Sequence, residues 1–195
     1  VADTSLTILV IDANPARAAV LEDGLREAGH ARVVRLDTTR ELLLRIFEID
    51  PDVILIDLES PSRDVLEQMF QVSRTVKRPV AMFVDQSDTA SIEAAVDAGV
   101  SAYIVDGLKK ERVKSILDMT VSRFNAFDHL QRELHQVRTE LAERKVIERA
   151  KGILMKSKGL SEEEAYASMR RAAMNEKMKL ADIAQSVVTA AQLLT

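Results

Sequence analysis

Apolar runs of strand length constrain this chain most: LTILVI (6–11), VILI (53–56), VAMFV (80–84) and AYIV (102–105), joined by the more alternating ARVVRL (31–36). A strand with no polar alternation is one buried on both faces, and sheets covered on both faces are the parallel kind. Helical periods fill every gap between the runs, so the repeat is strand then helix and the sheet is doubly wound. The helix starts are marked. Asn14 followed by Pro15 is an N-cap ahead of the residue best suited to the first helical position, and Thr38 with Glu41 has capping-box spacing. The predicted class is α/β: a five-stranded parallel, flavodoxin-like sheet whose chemistry belongs at the carboxyl ends of its strands. Those ends carry Asp12, Asp57, Val84 and Asp106, with Glu59 and Pro61 beside them.

The second half of the chain has a different grammar. From Lys109 to Lys158 there is no proline and a single glycine, and Leu130, Leu134, Val137 and Leu141 follow a 4-3-4 spacing, which predicts a short coiled-coil seam between two copies. Gly159 suits a helix C-cap, Ser161 with Glu164 opens another helix as a capping box, and a third helix starts near Lys179. Its apolar residues Leu180, Ile183, Ala184, Val187, Val188, Ala191 and Leu194 make one face for a core. The expected organisation is an α/β domain over 1–122, a dimerisation stalk over 123–144 and an all-α three-helix module over 145–195.

Charge sorts by module. Residues 1–129 hold 15 Lys plus Arg against 22 Asp plus Glu, whereas 130–195 hold 12 against 9. Cysteine is absent, which excludes disulfides and thiolate sites, and the three histidines, His30, His129 and His135, are too scattered to suggest a metal site. The N-terminal run lacks a basic region before it, and no stretch of about 20 apolar residues exists, so neither an export signal nor a membrane span is expected. A cytoplasmic protein fits this composition.

The LVIDAN, VILIDLESP and AAVDAGVSAYIVDG segments resemble a response-regulator receiver over roughly residues 6–120. The resemblance makes Asp57 the phosphoacceptor position and puts a magnesium-holding acidic pair at the end of the first strand. Here the second acid of that pair is Ala13, the hydroxyl position ending strand four is Val84, and the lysine position ending strand five is Asp106. Phosphoryl transfer needs a cation and positive charge around the phosphate, and these changes remove both. The expectation is an acidic pocket of Asp12, Asp57 and Asp106 with a raised carboxylate pKa or a bound cation. In it Asp57 is a retained scaffold carboxylate, no cofactor is required, and magnesium at Asp12 and Asp57 is weak. The pocket has no nucleophile, base pair or glycine-rich cradle, so an enzyme is not expected.

Residues 144–158 carry Arg144, Lys145, Arg149, Lys151, Lys156 and Lys158 against the single anion Glu148. At ~100° per residue, Val146, Ile147, Ala150, Ile153 and Leu154 share one face, while Lys145, Arg149 and Lys156 share another with Gly152 among them. Pattern alone leaves a phosphate-facing stripe and a merely solvated face equally open. The segment ERAKGILMKSKGLSEEEAYASMRRAAM followed by KLADIAQ is similar to the ANTAR domain of AmiR- and NasT-type antiterminators over about 140–190, and most like the NasT branch. That resemblance implies binding to paired stem-loops in leader mRNA and control of nitrate or nitrite assimilation. It also implies restraint by a separate nitrate-sensing, solute-binding-type protein rather than by a kinase. The RNA-facing candidates are Lys145, Arg149, Lys151, Gly152, Lys156, Tyr166, Arg170 and Arg171. Tyr166 could stack on a loop base or sit at a core edge. A phosphorylation-activated regulator and a DNA-binding one are the rival readings. The third helix offers Asp182, Gln185 and Thr189, none cationic, which argues against DNA.

Overall fold

A computed structural model of the chain describes residues 6–38, 41–58, 61–105 and 108–193. The chain divides into two compact units, 1–128 and 129–195.

The first unit alternates β1 (Thr7–Ile11), α1 (Pro15–Glu27), β2 (Arg32–Leu36), α2 (Leu42–Ile49), β3 (Val53–Leu58), α3 (Arg63–Val76), β4 (Val80–Val84), α4 (Thr89–Asp97) and β5 (Ala102–Ile104). The strands form one parallel sheet in the order β2-β1-β3-β4-β5. This is the doubly wound order expected from the buried runs. Successive side chains on a strand point to opposite faces, and the core splits accordingly. Leu9, Ile11, Ile54, Ile56 and Met82 pack with Leu42, Ile46, Met69 and Ala95 of α2, α3 and α4. Ile8, Val10, Leu55 and Phe83 pack instead with Leu21 and Leu25 of α1 and with Val113, Ile116 and Leu117. Gly24 has a structural reason on that second face. A Cβ there would meet Val113 at 2.9 Å, so only glycine lets α1 approach so closely.

Two helix starts were foreseen differently well. Asn14 caps α1 as expected, its side chain accepting from the Ala16 and Arg17 amides, with Pro15 at the first position. The Thr38–Glu41 box does not open α2. That helix begins at Leu42, with Glu41 as its N-cap at φ 52° and no side-chain cap bond. Leu42 and Ile46 are the helix's buried residues, so core contact rather than the box sets its start.

A short 3₁₀ turn (Lys110–Arg112) leads into α5 (Val113–Lys158), a single 46-residue helix that includes the whole predicted stalk and the basic segment. It ends at Gly159, whose φ of 65° is the left-handed conformation of a C-terminal cap. The second unit adds α6 (Glu162–Glu176) and α7 (Leu180–Leu193). Ser161 and Glu164 form the predicted capping box, at 3.2 and 2.8 Å. Ala150, Leu154, Ala165, Met169, Ala173, Ile183, Ala184 and Val188 make this unit's core, and its α5 and α7 members match the faces read from helical phase. Leu194 lies outside the described residues.

Candidate functional site

Two constellations carry chemistry, one in each unit. In the first, Asp57 sits near the end of β3, the central strand, with its side chain fully buried. Asp12 follows β1 directly and is also buried. Asp12 Oδ1 accepts from the Asn14 amide at 2.7 Å, and Asn14 in turn caps α1, so the strand end and the helix start are set as one piece. That arrangement delivers Arg17, from the first turn of α1, into the pocket. Its Nε donates to Asp57 Oδ2 at 2.8 Å and its Nη2 to Asp57 Oδ1 at 2.6 Å, a bidentate fork. Its Nη1 donates to Asp85, just past β4, at 3.0 Å.

Arg17 and Asp85 were missed in the sequence. The signal was there: a cation in the first turn of a helix opposes the macrodipole and implies a specific anionic partner. The two carboxylates raise the Arg17 pKa further above its ordinary value, chiefly through the hydrogen bonds that Arg17 donates to Asp57. Asp12 is raised as expected, but for a different main reason. Burial is the largest cause, its bond from the Asn14 amide opposes it, and the nearby Asp57 charge adds to it. Asp12 Oδ2 is buried without a hydrogen-bond partner. The predicted third acid, Asp106, and Glu59 lie outside the described residues. Val84 is fully buried and apolar, in keeping with the absence of a hydroxyl there.

The residues fit a divalent metal poorly. Among the described residues of the pocket, both Asp57 oxygens are engaged by Arg17, Ala13 has no side-chain ligand, and Asp12 Oδ2 is the buried oxygen without a hydrogen bond. Among the described residues, no group of three or more His, Asp or Glu side chains is placed to hold an ion.

In the second unit, Lys145, Arg149 and Lys156 are exposed on α5, on the side away from Ala150 and Leu154. From Lys145 to Lys156 the stripe runs about 16 Å along the helix axis. Gly152 lies within it, and a Cβ added there would meet nothing within 4 Å. No close packing inside this unit therefore demands the glycine. Lys151 corrects the sequence reading. It is 8% exposed, and its Nζ pairs with Glu162 at 2.6 Å and Glu148 at 2.8 Å. The hydrogen bonds it donates to Glu148 and then Glu162 raise its pKa, and Lys151 lowers that of Glu162. Lys151 ties α5 to the first turn of α6 and is not available to a phosphate. Tyr166 and Arg170 are exposed one turn apart on α6, and Arg171, also exposed, lies ~100° further round. The seam residues Leu130, Leu134, Val137 and Leu141 are all exposed, Leu130 at 61%.

The geometry defines a response-regulator receiver joined by one long helix to a small helical module. The response regulator receiver domain family matches residues 8–118, more than half of the chain, and the ANTAR domain family matches residues 135–188. The chain belongs to the response regulators that combine a receiver with an ANTAR domain. It is similar to "Transcriptional regulatory protein PdtaR" of Mycobacterium tuberculosis, with 28% identity over 168 residues, 86% of this chain and 82% of that protein. It is also similar to "Nitrate regulatory protein" of Klebsiella oxytoca, with 32% identity over 76 residues, 39% of this chain and 19% of that one. A solved response regulator from Thermotoga maritima shares the receiver fold, with a TM-score of 0.53, 17% identity, and coverage of 60% of this chain and 98% of that one. Among the described residues no helix is long and apolar enough to cross a membrane.

Proposed function

We propose that this receiver–ANTAR regulator is a cytoplasmic, homodimeric antiterminator that binds paired stem-loops in nascent leader mRNA. The observation that carries the reading is the stripe of Lys145, Arg149 and Lys156. These cations are exposed, have no ion-pair partner among the described residues, and flank a glycine whose Cβ direction is open. Phosphates need such cations, and a backbone lying against Gly152 would come closer than any side chain would allow. Two paired hairpins call for two modules. The exposed heptad residues Leu130, Leu134, Val137 and Leu141 supply the surface on which a second copy packs.

The target operon in this reading is one for nitrate or nitrite assimilation. A nitrate-sensing, solute-binding-type protein holds the regulator inactive. The similarity to the nitrate regulatory protein supports this, as does a receiver pocket whose Asp57 is already held by an arginine. Control by phosphorylation fits that pocket less well. DNA is disfavoured because none of the exposed residues of α7, Asp182, Gln185 and Thr189 among them, is a cation.

Filter binding with a two-hairpin leader RNA and with the equivalent duplex DNA tests the reading. RNA is expected to bind preferentially. Lys145→Ala, Arg149→Ala and Lys156→Ala should each reduce the slope of log affinity against log salt by roughly one unit or less. Lys151→Ala serves as control: it should lower the melting temperature and leave the slope alone. Unchanged slopes in all three stripe variants would place RNA binding elsewhere. Dimerisation has its own check, since Leu134→Lys with Leu141→Lys should sediment as a monomer. Sedimentation identical to the parent would remove the seam from the reading.

A further inference from the structure

We infer that Lys145 is shared between two surfaces: it belongs to the RNA-facing stripe, and it faces Glu140 of a second copy of this chain lying parallel and in register along the stalk. The inference rests on the proposed dimer and goes beyond it, naming the orientation of the two chains and the residue that joins pairing to RNA binding. α5 runs unbroken from Val113 to Lys158, so the phase set by Leu130, Leu134, Val137 and Leu141 carries on into the basic segment. The 4-3-4 spacing of these exposed residues puts Leu130 and Val137 at heptad position d, and Leu134 and Leu141 at position a. The next d position is Arg144, so the apolar seam stops at Leu141.

The charges beside the seam select the orientation. Glu133 and Glu140 each precede an a residue and lie at g, whereas Arg138 and Lys145 each follow a d position and lie at e. In a parallel, in-register pair every g residue faces the e residue of the next heptad in the other chain. Glu133 then meets Arg138 and Glu140 meets Lys145, and the two-fold axis repeats both contacts. In an antiparallel pair g faces g and e faces e, which sets acids against acids and cations against cations. Within one chain these charges stay open. Arg138 and Lys145 are exposed and have no ion-pair partner among the described residues, Glu140 accepts a 2.9 Å hydrogen bond from the uncharged Gln136, and Glu133 stands 3.5 Å from His129. Parallel pairing also brings the two ANTAR modules to the same end of the stalk, as paired hairpins require. A phosphate at Lys145 competes with Glu140 of the second copy, whereas Arg149 and Lys156 lie past the end of the seam. Lys145 should therefore release less counterion on RNA binding than either of them.

The chain has no cysteine, so orientation can be read from single thiols placed in the full chain. Leu141→Cys and Leu130→Cys, treated with oxidised glutathione, should each form disulfide-linked dimers alone, and mixing the two variants should add none. Failure of Leu141→Cys to crosslink with itself, whether or not it crosslinks to Leu130→Cys, would overturn the inference. A parent chain that sediments as a monomer would remove the dimer reading as well, so the two failures are distinguishable. Glu133→Lys with Glu140→Lys should weaken self-association about tenfold or more. Mixing that variant with Arg138→Glu plus Lys145→Glu should restore pairing. With the two-hairpin leader RNA, Glu140→Gln should steepen the slope of log affinity against log salt, and Lys145→Ala should lose less slope than Arg149→Ala. Equal losses at Lys145 and Arg149, with Glu140→Gln unchanged, would overturn the shared role of Lys145.

Discussion

The two cation sites of this protein are opposites in their bookkeeping of charge. In the receiver, Arg17 is turned inward and saturated by Asp57 and Asp85, whereas on α5 Lys145, Arg149 and Lys156 face outward with no anion assigned to them. Lys151 marks the border between the two kinds, because it lies on the basic helix yet behaves like Arg17, buried and paired with Glu148 and Glu162. The difference teaches that cations in one sequence segment are not one population. A cation that closes a charge balance inside the chain holds the fold, and one that leaves the balance open is available to a partner.

The largest effect should come from breaking the closed site. Arg17→Ala leaves Asp57 buried without its counter-charge and next to Asp12. It should cost about 3 kcal/mol of stability, the lower end for breaking a buried ion pair, because Arg17 is itself 20% exposed. The combined Lys145→Ala, Arg149→Ala and Lys156→Ala variant should unfold at the parent's denaturant concentration, since exposed cations away from special features change stability little. Chemical denaturation followed by circular dichroism makes the comparison. Equal losses in the two variants would erase the distinction between closed and open sites.

A smaller effect of opposite sign is expected at Gly152. Its Cβ direction is open, so Gly152→Gln should meet no steric obstacle within the chain and should stabilise α5 by up to ~1 kcal/mol. The same side chain would project into the basic stripe, so leader RNA binding should weaken while the melting temperature rises. Normal RNA affinity in this variant would leave the glycine without a functional reason.

What could be read in the sequence was what repeats. Unbroken apolar runs gave four of the strands, the more alternating run gave β2, and the helical phase of Ala150, Leu154, Ile183 and Ala184 anticipated the second core. Local caps were legible where the side chain bonds within three residues, as at Asn14 and Ser161. Thr38 with Glu41 had the same spacing and failed, because burial of Leu42 and Ile46 governs where α2 starts. Arg17 was legible only in part: its place in the first turn of a helix implies an anionic partner but not which one. Its partners are 40 and 68 residues away, and no periodicity encodes a pair that the strand order alone brings together. Lys151 was misjudged similarly: the count of cations was right, but Glu162 reaches it from across the Gly159 turn.

The smallest expected effect is in acid, and it separates the units by sign. In the receiver, burial raises the Asp12 pKa above 3.8, so its ionised form weakens the fold at neutral pH. The folded state takes up that proton before the unfolded state does. The penalty is complete above the raised value, eases as pH falls through it, and is gone below about 3.8. In the helical module the signs reverse. Bonds from the Ser161 amide lower the Glu164 pKa below 4.5, and Lys151 does the same for Glu162. Their contributions are present above 4.5 and are lost as pH falls through the lowered values. Asp12→Asn should therefore melt above the parent at neutral pH, with the gap shrinking on acidification. Glu164→Gln should melt below the parent at neutral pH, and its gap should close only at lower pH, below 4.5. Melting temperatures of the parent and the two variants across this range provide the check. Gaps that do not change with pH would mean that neither carboxylate titrates differently on folding, and the charge contrast between the units would then rest on Arg17 alone.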